Sequence, residues 1–340
     1  MILMVTIYDV AKKAEVSPAT VSRVINNKSN VKPETRKRIE EVCEELNYVP
    51  NSNAGSLKKK HTKSLGLIIP EISNPFFISI LKGFENRAIQ SGYNTILCNT
   101  AKNTGLEENY IQMILEKRID GVAISTVSKN HNQLKKIKQQ DIPLILIDRK
   151  IEDFKVDIVC GDSYHGAVKL VNHLIQKGHK NIAMIAGPRH LSTGKERILG
   201  YKKALAEANI TFKPELLKVI SSRYQGFSRK KAYELTRSLI SGNSSFSAIF
   251  VANNLMALGA YKALTEAGIN VPGDIALVCF DDLSLEFEIN PFFTVMKQPA
   301  PDMGKTAAEI LIDKIEGKNK GKKQKVVFQP ELIVRRSSGE

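Results

Sequence analysis

The chain has 340 residues, an ordinary hydrophobic content of 42%, few aromatics and no Trp. That length exceeds one compact core and predicts two or three domains; no apolar run is long enough for a membrane helix, and the lack of a secretory h-region predicts a cytoplasmic protein. A net charge of +15 favours a polyanionic partner, but residues 1–62 hold only eleven Lys/Arg against seven Asp/Glu, so charge alone does not locate a nucleic-acid surface.

The first predicted element opens at "TIYDVAKKA". Thr6 with Asp9 three residues later is a helix-start pattern, and Ile7, Val10, Ala11 and Ala14 follow at helical spacing. In "SPATVSRVIN" Ser17 is a good N-cap, and Pro18 suits the first helical position, where no N–H is needed. Val21, Val24 and Ile25 share one face of this second helix; Ala19, Ser22, Arg23 and Asn26 share another. A third helix starts at Pro33 and turns Ile39, Val42, Cys43 and Leu46 inward. Three short helices with a tight connection predict a helix-turn-helix domain. The small, polar, basic face of the second helix suits a major groove, where Arg23 offers two parallel donors to O6 and N7 of guanine; a solvated face of a structural bundle is the alternative.

Next comes "YVPNSNAGSLKKKHTKS". Asn51 can cap a short helix over Ser52 to Leu57, too short to be stable alone. With a partner subunit and DNA, Leu57 would wedge into a minor groove while the neighbouring lysines meet phosphates; the polar composition equally fits a flexible linker.

These segments, "TIYDVAKKAEVSPATVSRVIN", "VKPETRKRIEE", "LNYVPN" and "AGSL", together resemble the N-terminal domain and hinge of the LacI (lactose-repressor) family of bacterial regulators, and the resemblance runs on to about residue 338. It implies a homodimer on a near-palindromic double-stranded operator. Thr6, Tyr8, Ser17, Pro18, Ala19, Thr20, Ser22, Arg23, Asn26, Asn51, Ala54 and Leu57 would contact DNA: Ser17 to Arg23 in the major groove, Tyr8 at a phosphate, and Leu57 from each hinge helix in the central minor groove. Gly55 departs from the Arg or Gln of many members and is expected to weaken the hinge helix by about 1 kcal/mol relative to Ala.

From Ser64 onward, aliphatic runs ("LGLIIP", "NTILC", "GVAIS", "PLILID", "NIAMIAG", "SAIFVA", "DIALVCF") alternate with helical stretches: Phe77–Gln90, Leu106–Lys117, Gly166–Lys177, Lys195–Asn209, Ser228–Ile240 and Leu255–Ala267. Continuous aliphatic strands with crossover helices predict parallel α/β sheets covered on both faces, here in two lobes. The expected domains are residues 1–50 (all-α helix-turn-helix), 51–63 (hinge helix and linker) and 64–340, with lobe one about 64–163 plus 292–323 and lobe two about 164–291 plus 324–340.

In such sheets ligands lie beyond the C-terminal strand ends. The residues there are Asn74, Phe76 and Phe77; Asp148 and Arg149; Arg197; Asn253 and Asn254; Asp281 and Asp282; and Gln298. Any one of them suits a cap or a surface ion pair. Together, aromatic faces with carboxylates, guanidinium groups and amides suit a sugar. The resemblance implies a periplasmic-binding-protein-like effector domain, in which Asn74, Phe76, Phe77, Asp148, Arg149, Arg197, Asn253, Asp281 and Gln298 match a ribose-type pocket. Tyr224 and Phe227 are both candidates for the aromatic closing its other side, and two arginines would also accept a sugar acid. Asn254 stands where Asp is common, which is expected to alter a lobe–lobe or pocket contact.

Cys43, Cys98, Cys160 and Cys279 lie far apart and are expected to be reduced thiols. "DMGKTA" and "GPRHLSTGKE" echo a phosphate loop with the wrong spacing, and the six histidines have no metal or nucleophile-partner spacing, so no catalytic residue, metal or cofactor is expected. Two function classes remain: a repressor released from its operator by a small sugar, and a stand-alone sugar-binding protein. The N-terminal helices favour the first. A regulator needing a metabolite or phosphocarrier protein as corepressor is a variant of it.

Overall fold

A computed structural model describes residues 5–26, 30–48, 61–221, 226–242, 245–283, 291–318, 321 and 323–339. The chain forms two compact units, Met1–Thr62 and Lys63–Glu340.

In the first unit, α1 (Ile7–Lys13), α2 (Pro18–Ile25) and α3 (Pro33–Glu45) surround Val10, Ala14, Val21, Val24 and Ile39, all buried. Thr6 and Asp9 close a reciprocal capping box on α1, and the Ser17 hydroxyl accepts the Thr20 N–H at the start of α2. The turn between these helices passes through left-handed backbone at Glu15 (φ 51°), a place where Gly would be free of strain.

The second unit holds two six-stranded sheets. The first has the order β11 (Lys325–Phe328), β5 (Asp157–Gly161), β4 (Leu144–Ile147), β3 (Gly121–Ile124), β1 (Ser64–Ile69), β2 (Asn94–Asn99), and every pair is parallel. Helices α4 (Pro75–Gln90) and α11 (Ala300–Ile315) cover one face; α5 (Thr104–Glu116) and α6 (Asn132–Gln139) cover the other. The second sheet runs β12 (Glu331–Ile333), β10 (Thr294–Lys297), β9 (Ala276–Phe280), β8 (Ala248–Val251), β6 (Ile182–Ala186), β7 (Leu217–Val219), parallel except for antiparallel β12 on β10. Helices α7 (Ser163–Gln176) and α8 (Ser192–Glu207) pack on one face, and α9 (Arg229–Ile240) and α10 (Asn254–Glu266) on the other. Apart from half-buried Ser64 at the start of β1, the central strands are buried throughout, as sheets covered on both faces require.

The lobe boundaries differ from those expected. Strand β10 pairs with β9 in the second sheet, and β11 pairs with β5 in the first. The later crossings therefore lie near residues 298 and 329, not 292 and 324. Both strands are four-residue segments, β11 at a sheet edge and β10 between β12 and β9, and their composition carries no sign of which sheet they join. Gly304, in the "GKT" of the phosphate-loop echo, lies inside α11, where an added Cβ would stand 2.0 Å from the Ile80 carbonyl oxygen of α4. Its role there is close helix packing. Among the described residues no helix is long and apolar enough to cross a membrane.

Candidate functional site: a DNA-reading helix and an interlobe pocket

The sequence of α2 separates its faces sharply. Val21 and Val24 are buried, while Ser17, Ala19, Arg23 and Asn26 are exposed and Pro18, Thr20 and Ser22 are half-buried. Ser17 and Thr20 share a hydroxyl–hydroxyl bond of 2.9 Å, and Asn26 donates to the Ser22 carbonyl at 2.7 Å. Arg23 has no side-chain partner among the described residues, so its fork of donors points outward uncommitted. Thr6 is held in its capping box, and Tyr8 is 71% exposed beside it. Asn51, Ala54, Gly55 and Leu57 of the expected hinge lie outside the described residues.

In the second unit each sheet reverses its strand order once, between β1 and β3 in the first and between β6 and β8 in the second. Crevices form at such points, and here the two crevices share one pocket. Eight of the nine expected residues line it: Asn74, Phe76, Phe77, Asp148, Arg149, Arg197, Asn253 and Asp281. Gln298 stands behind them, donating to Asp281 Oδ1 at 2.6 Å from the crossing between the lobes. Phe227 supplies the closing aromatic, and Tyr224 lies outside the described residues. Phe227 reaches the pocket because Gly187 has no side chain; a Cβ there would meet its ring at 2.2 Å.

The two aspartates occupy equivalent places. Asp148 follows β4 and Asp281 follows β9, both with left-handed backbone (φ 67° and 65°), and each donates its N–H to the neighbouring edge-side strand, at Val159 and Met296. Single residues held in that region cost free energy and cluster at functional sites. Arg149 lies 3.6 Å from Asp148 and donates to the Thr126 carbonyl at 2.7 Å; its Nε has no hydrogen-bond partner. Arg197 lies 3.5 Å from Asp281, donates to the Ala252 carbonyl at 2.6 Å and stacks 3.7 Å above the Phe280 ring. Burial pushes the Asp148 carboxyl up to about 6 although both arginines pull it down, and burial likewise raises Asp281 against the pull of Arg197.

The cap reading and the pocket reading both hold for the asparagines. Asn74 Oδ1 caps α4 through Phe76 N–H, and Asn253 Oδ1 caps α10 through Leu255 and Met256 N–H. Asn254 makes a lobe–lobe contact: its Nδ2 donates to Asn74 Oδ1 at 2.9 Å, a bond that a carboxylate cannot make. Asp282 points away from the pocket, paired in a fork with Arg335. Sequence reasoning missed Glu71 and Lys102, an ion pair at 2.5 Å on the rim, and Thr193, whose buried hydroxyl has no partner. Thr193 had a signal: it opens the helix after β6, inside the "STGKE" that had been weighed only as a phosphate loop. The space left between these side chains is about 20 Å³, room for about one water.

Comparison with known proteins agrees with both modules. Residues 6–51 match the family described as bacterial regulatory proteins, lacI family, and residues 62–333 match periplasmic binding proteins and the sugar-binding domain of the LacI family. The chain is similar to the HTH-type transcriptional repressor PurR of Aliivibrio fischeri strain MJ11, with 35% identity over 335 residues and 98% of both chains covered. It is also similar to the HTH-type transcriptional regulator DegA of Bacillus subtilis strain 168, with 35% identity over 336 residues and 98% of both. Among solved structures, the lac repressor dimer bound to operator and the anti-inducer ONPF superposes with a TM-score of 0.80 at 27% identity, covering 98% of this chain and 99% of that one. The chain belongs to the LacI family of DNA-binding transcriptional regulators, with a helix-turn-helix module joined to a sugar-binding domain of the periplasmic type.

Proposed function

We propose that the protein is a homodimeric cytoplasmic repressor, released from a near-palindromic operator when a small sugar or sugar acid binds between its lobes. The observation that carries this reading is the convergence of two buried Asp–Arg pairs with Phe76, Phe77 and Phe227 at the strand ends of both lobes. Neighbouring hydroxyls would donate to Asp148 and Asp281 and accept from Arg149 and Arg197, while the rings pack on C–H faces. Ser17 to Arg23 on α2 would read base edges, with Arg23 bidentate to a guanine.

The lobes are joined directly, by the Asn254–Asn74 bond and by Lys150–Glu196 and Lys195–Glu152 ion pairs, each 2.6 Å. With so little space in the central pocket, a sugar enters it only as the lobes part and is then enclosed. Its differential affinity for the two arrangements supplies the shift in operator affinity. The test is thermal melting against pentoses, hexoses and sugar acids, followed by operator binding with and without the hit. A ligand at 100 times its Kd adds about 2.7 kcal/mol of stability. No melting shift with any sugar refutes the ligand class, and unchanged operator affinity in Arg23→Ala refutes the reading helix.

A further inference from the structure

The larger space between the lobes is not the central pocket but a cleft of about 700 Å³ on the other side of Arg149. Its walls are the loops after β3 and β4 in the first lobe and the loop from β6 into α8 in the second. Five Lys/Arg side chains face it against two glutamates. Both glutamates are spent on Lys150 and Lys195. Lys129 and Arg189, exposed and on opposite lobes, have no ion-pair partner among the described residues. His131 and His190 each bury an Nδ1 with no hydrogen-bond partner. The 96%-buried Arg149, ion-paired with Asp148 but with no hydrogen bond at Nε, forms the floor, and α8 begins at the cleft without a side-chain cap. The loop carrying Lys129 is fixed rather than loose, because the buried Glu107 carboxylate accepts the Thr126 hydroxyl at 2.6 Å and the Val127 N–H at 2.7 Å.

We propose that this cleft is a second ligand site, for a small molecule bearing a phosphate group. A phosphate dianion offers three acceptor oxygens, which fit cations converging from two walls and a helix N-terminus. Ile151 and Leu199 leave an apolar wall for the body of the molecule. Because Lys129 and Arg189 belong to different lobes, binding ties the lobes together and reinforces the closed arrangement. The cleft shares Arg149 with the sugar pocket, but Lys129 and Arg189 line the cleft alone and Phe227 the pocket alone, so the two sites can be tested separately.

The test measures binding of inorganic phosphate, glycerol phosphate and glycerol by calorimetry, using the full chain as wild type, as a Lys129→Ala/Arg189→Ala double variant, and as Phe227→Ala in the central pocket. Both substituted cations are surface residues, so the double variant should keep its fold, checked by its melting temperature. The expected result is binding of glycerol phosphate but not glycerol, weakened at least about tenfold in the double variant, as loss of charge-assisted contacts implies, and unchanged in Phe227→Ala. Tighter binding of glycerol phosphate than of inorganic phosphate supports a phosphorylated metabolite as the source; equal binding supports free phosphate. No binding of either at millimolar concentration overturns the proposal. So does binding that the double variant keeps or that Phe227→Ala abolishes.

Discussion

Asp148 and Asp281 illustrate how a residue's position decides its chemistry. Nothing in "LILIDR" distinguishes its aspartate from one that merely starts a loop; burial beside Arg149 and Arg197 does. The Asp148 carboxyl titrates at about 6 in the folded chain rather than at 3.8. A carboxyl raised on folding contributes stability that is fully present below its unfolded pKa and is lost as pH rises through its folded one. Asp148 therefore makes stability fall from about pH 4 to about pH 6, by about 3 kcal/mol. Denaturant unfolding of wild type and Asp148→Asn across that range should show a steeper fall in the wild type, Asp281 keeping a slope of the same sign in both; parallel profiles would remove Asp148 as a source. Asn254 is a second such residue. Its expected influence on a lobe–lobe contact takes the form of a donor to Asn74, whose oxygen already accepts Phe76 N–H and so cannot turn away without losing the α4 cap. Asn254→Asp should weaken sugar binding about tenfold by titration calorimetry, the loss of roughly one buried hydrogen bond. Unchanged affinity would mean that the bond does not hold the closed lobes.

Among elements, strong local signals were legible and weak ones were not. The capping box at Thr6 and the Ser17–Pro18 start mark α1 and α2 because caps are local chemistry. Ser17→Ala should cost about 1 kcal/mol in thermal unfolding of the N-terminal unit; no loss would mean that the Thr20 bond adds nothing. Helix α6 went unread because only Leu134 and Ile137 of its eight residues are buried. Strand β5 was passed over because its short run begins with an aspartate. The α11 helix was obscured by the "GKT" within it. Its Gly304 meets Ile80 of α4, a contact 224 residues apart that no local pattern announces. Gly304→Ala should force the two helices apart and destabilise the second unit by about 1–3 kcal/mol in calorimetry; a smaller effect would show that the helices can slide.

For the whole molecule, the two modules set the expected response to salt and ligand. A reading helix with a free Arg23 predicts operator affinity that falls steeply with salt as counterions are released. Leu57→Ala, in the proposed hinge, which lies outside the described residues, should abolish operator binding while leaving sugar binding intact. Retained operator affinity would sink the hinge role.

The sequence by itself determined the helix-turn-helix, the paired parallel sheets and eight of the pocket's lining residues, because caps, hydrophobic periodicity and strand-end positions are properties of short segments. Only the tertiary structure decided which lobe β10 and β11 join, that Phe227 closes the pocket across Gly187, that Asn254 reaches Asn74, and that a basic cleft opens beside the pocket. Each of these depends on groups far apart in the chain meeting in space, and burial and pairing act on those neighbours rather than on the residues next in sequence.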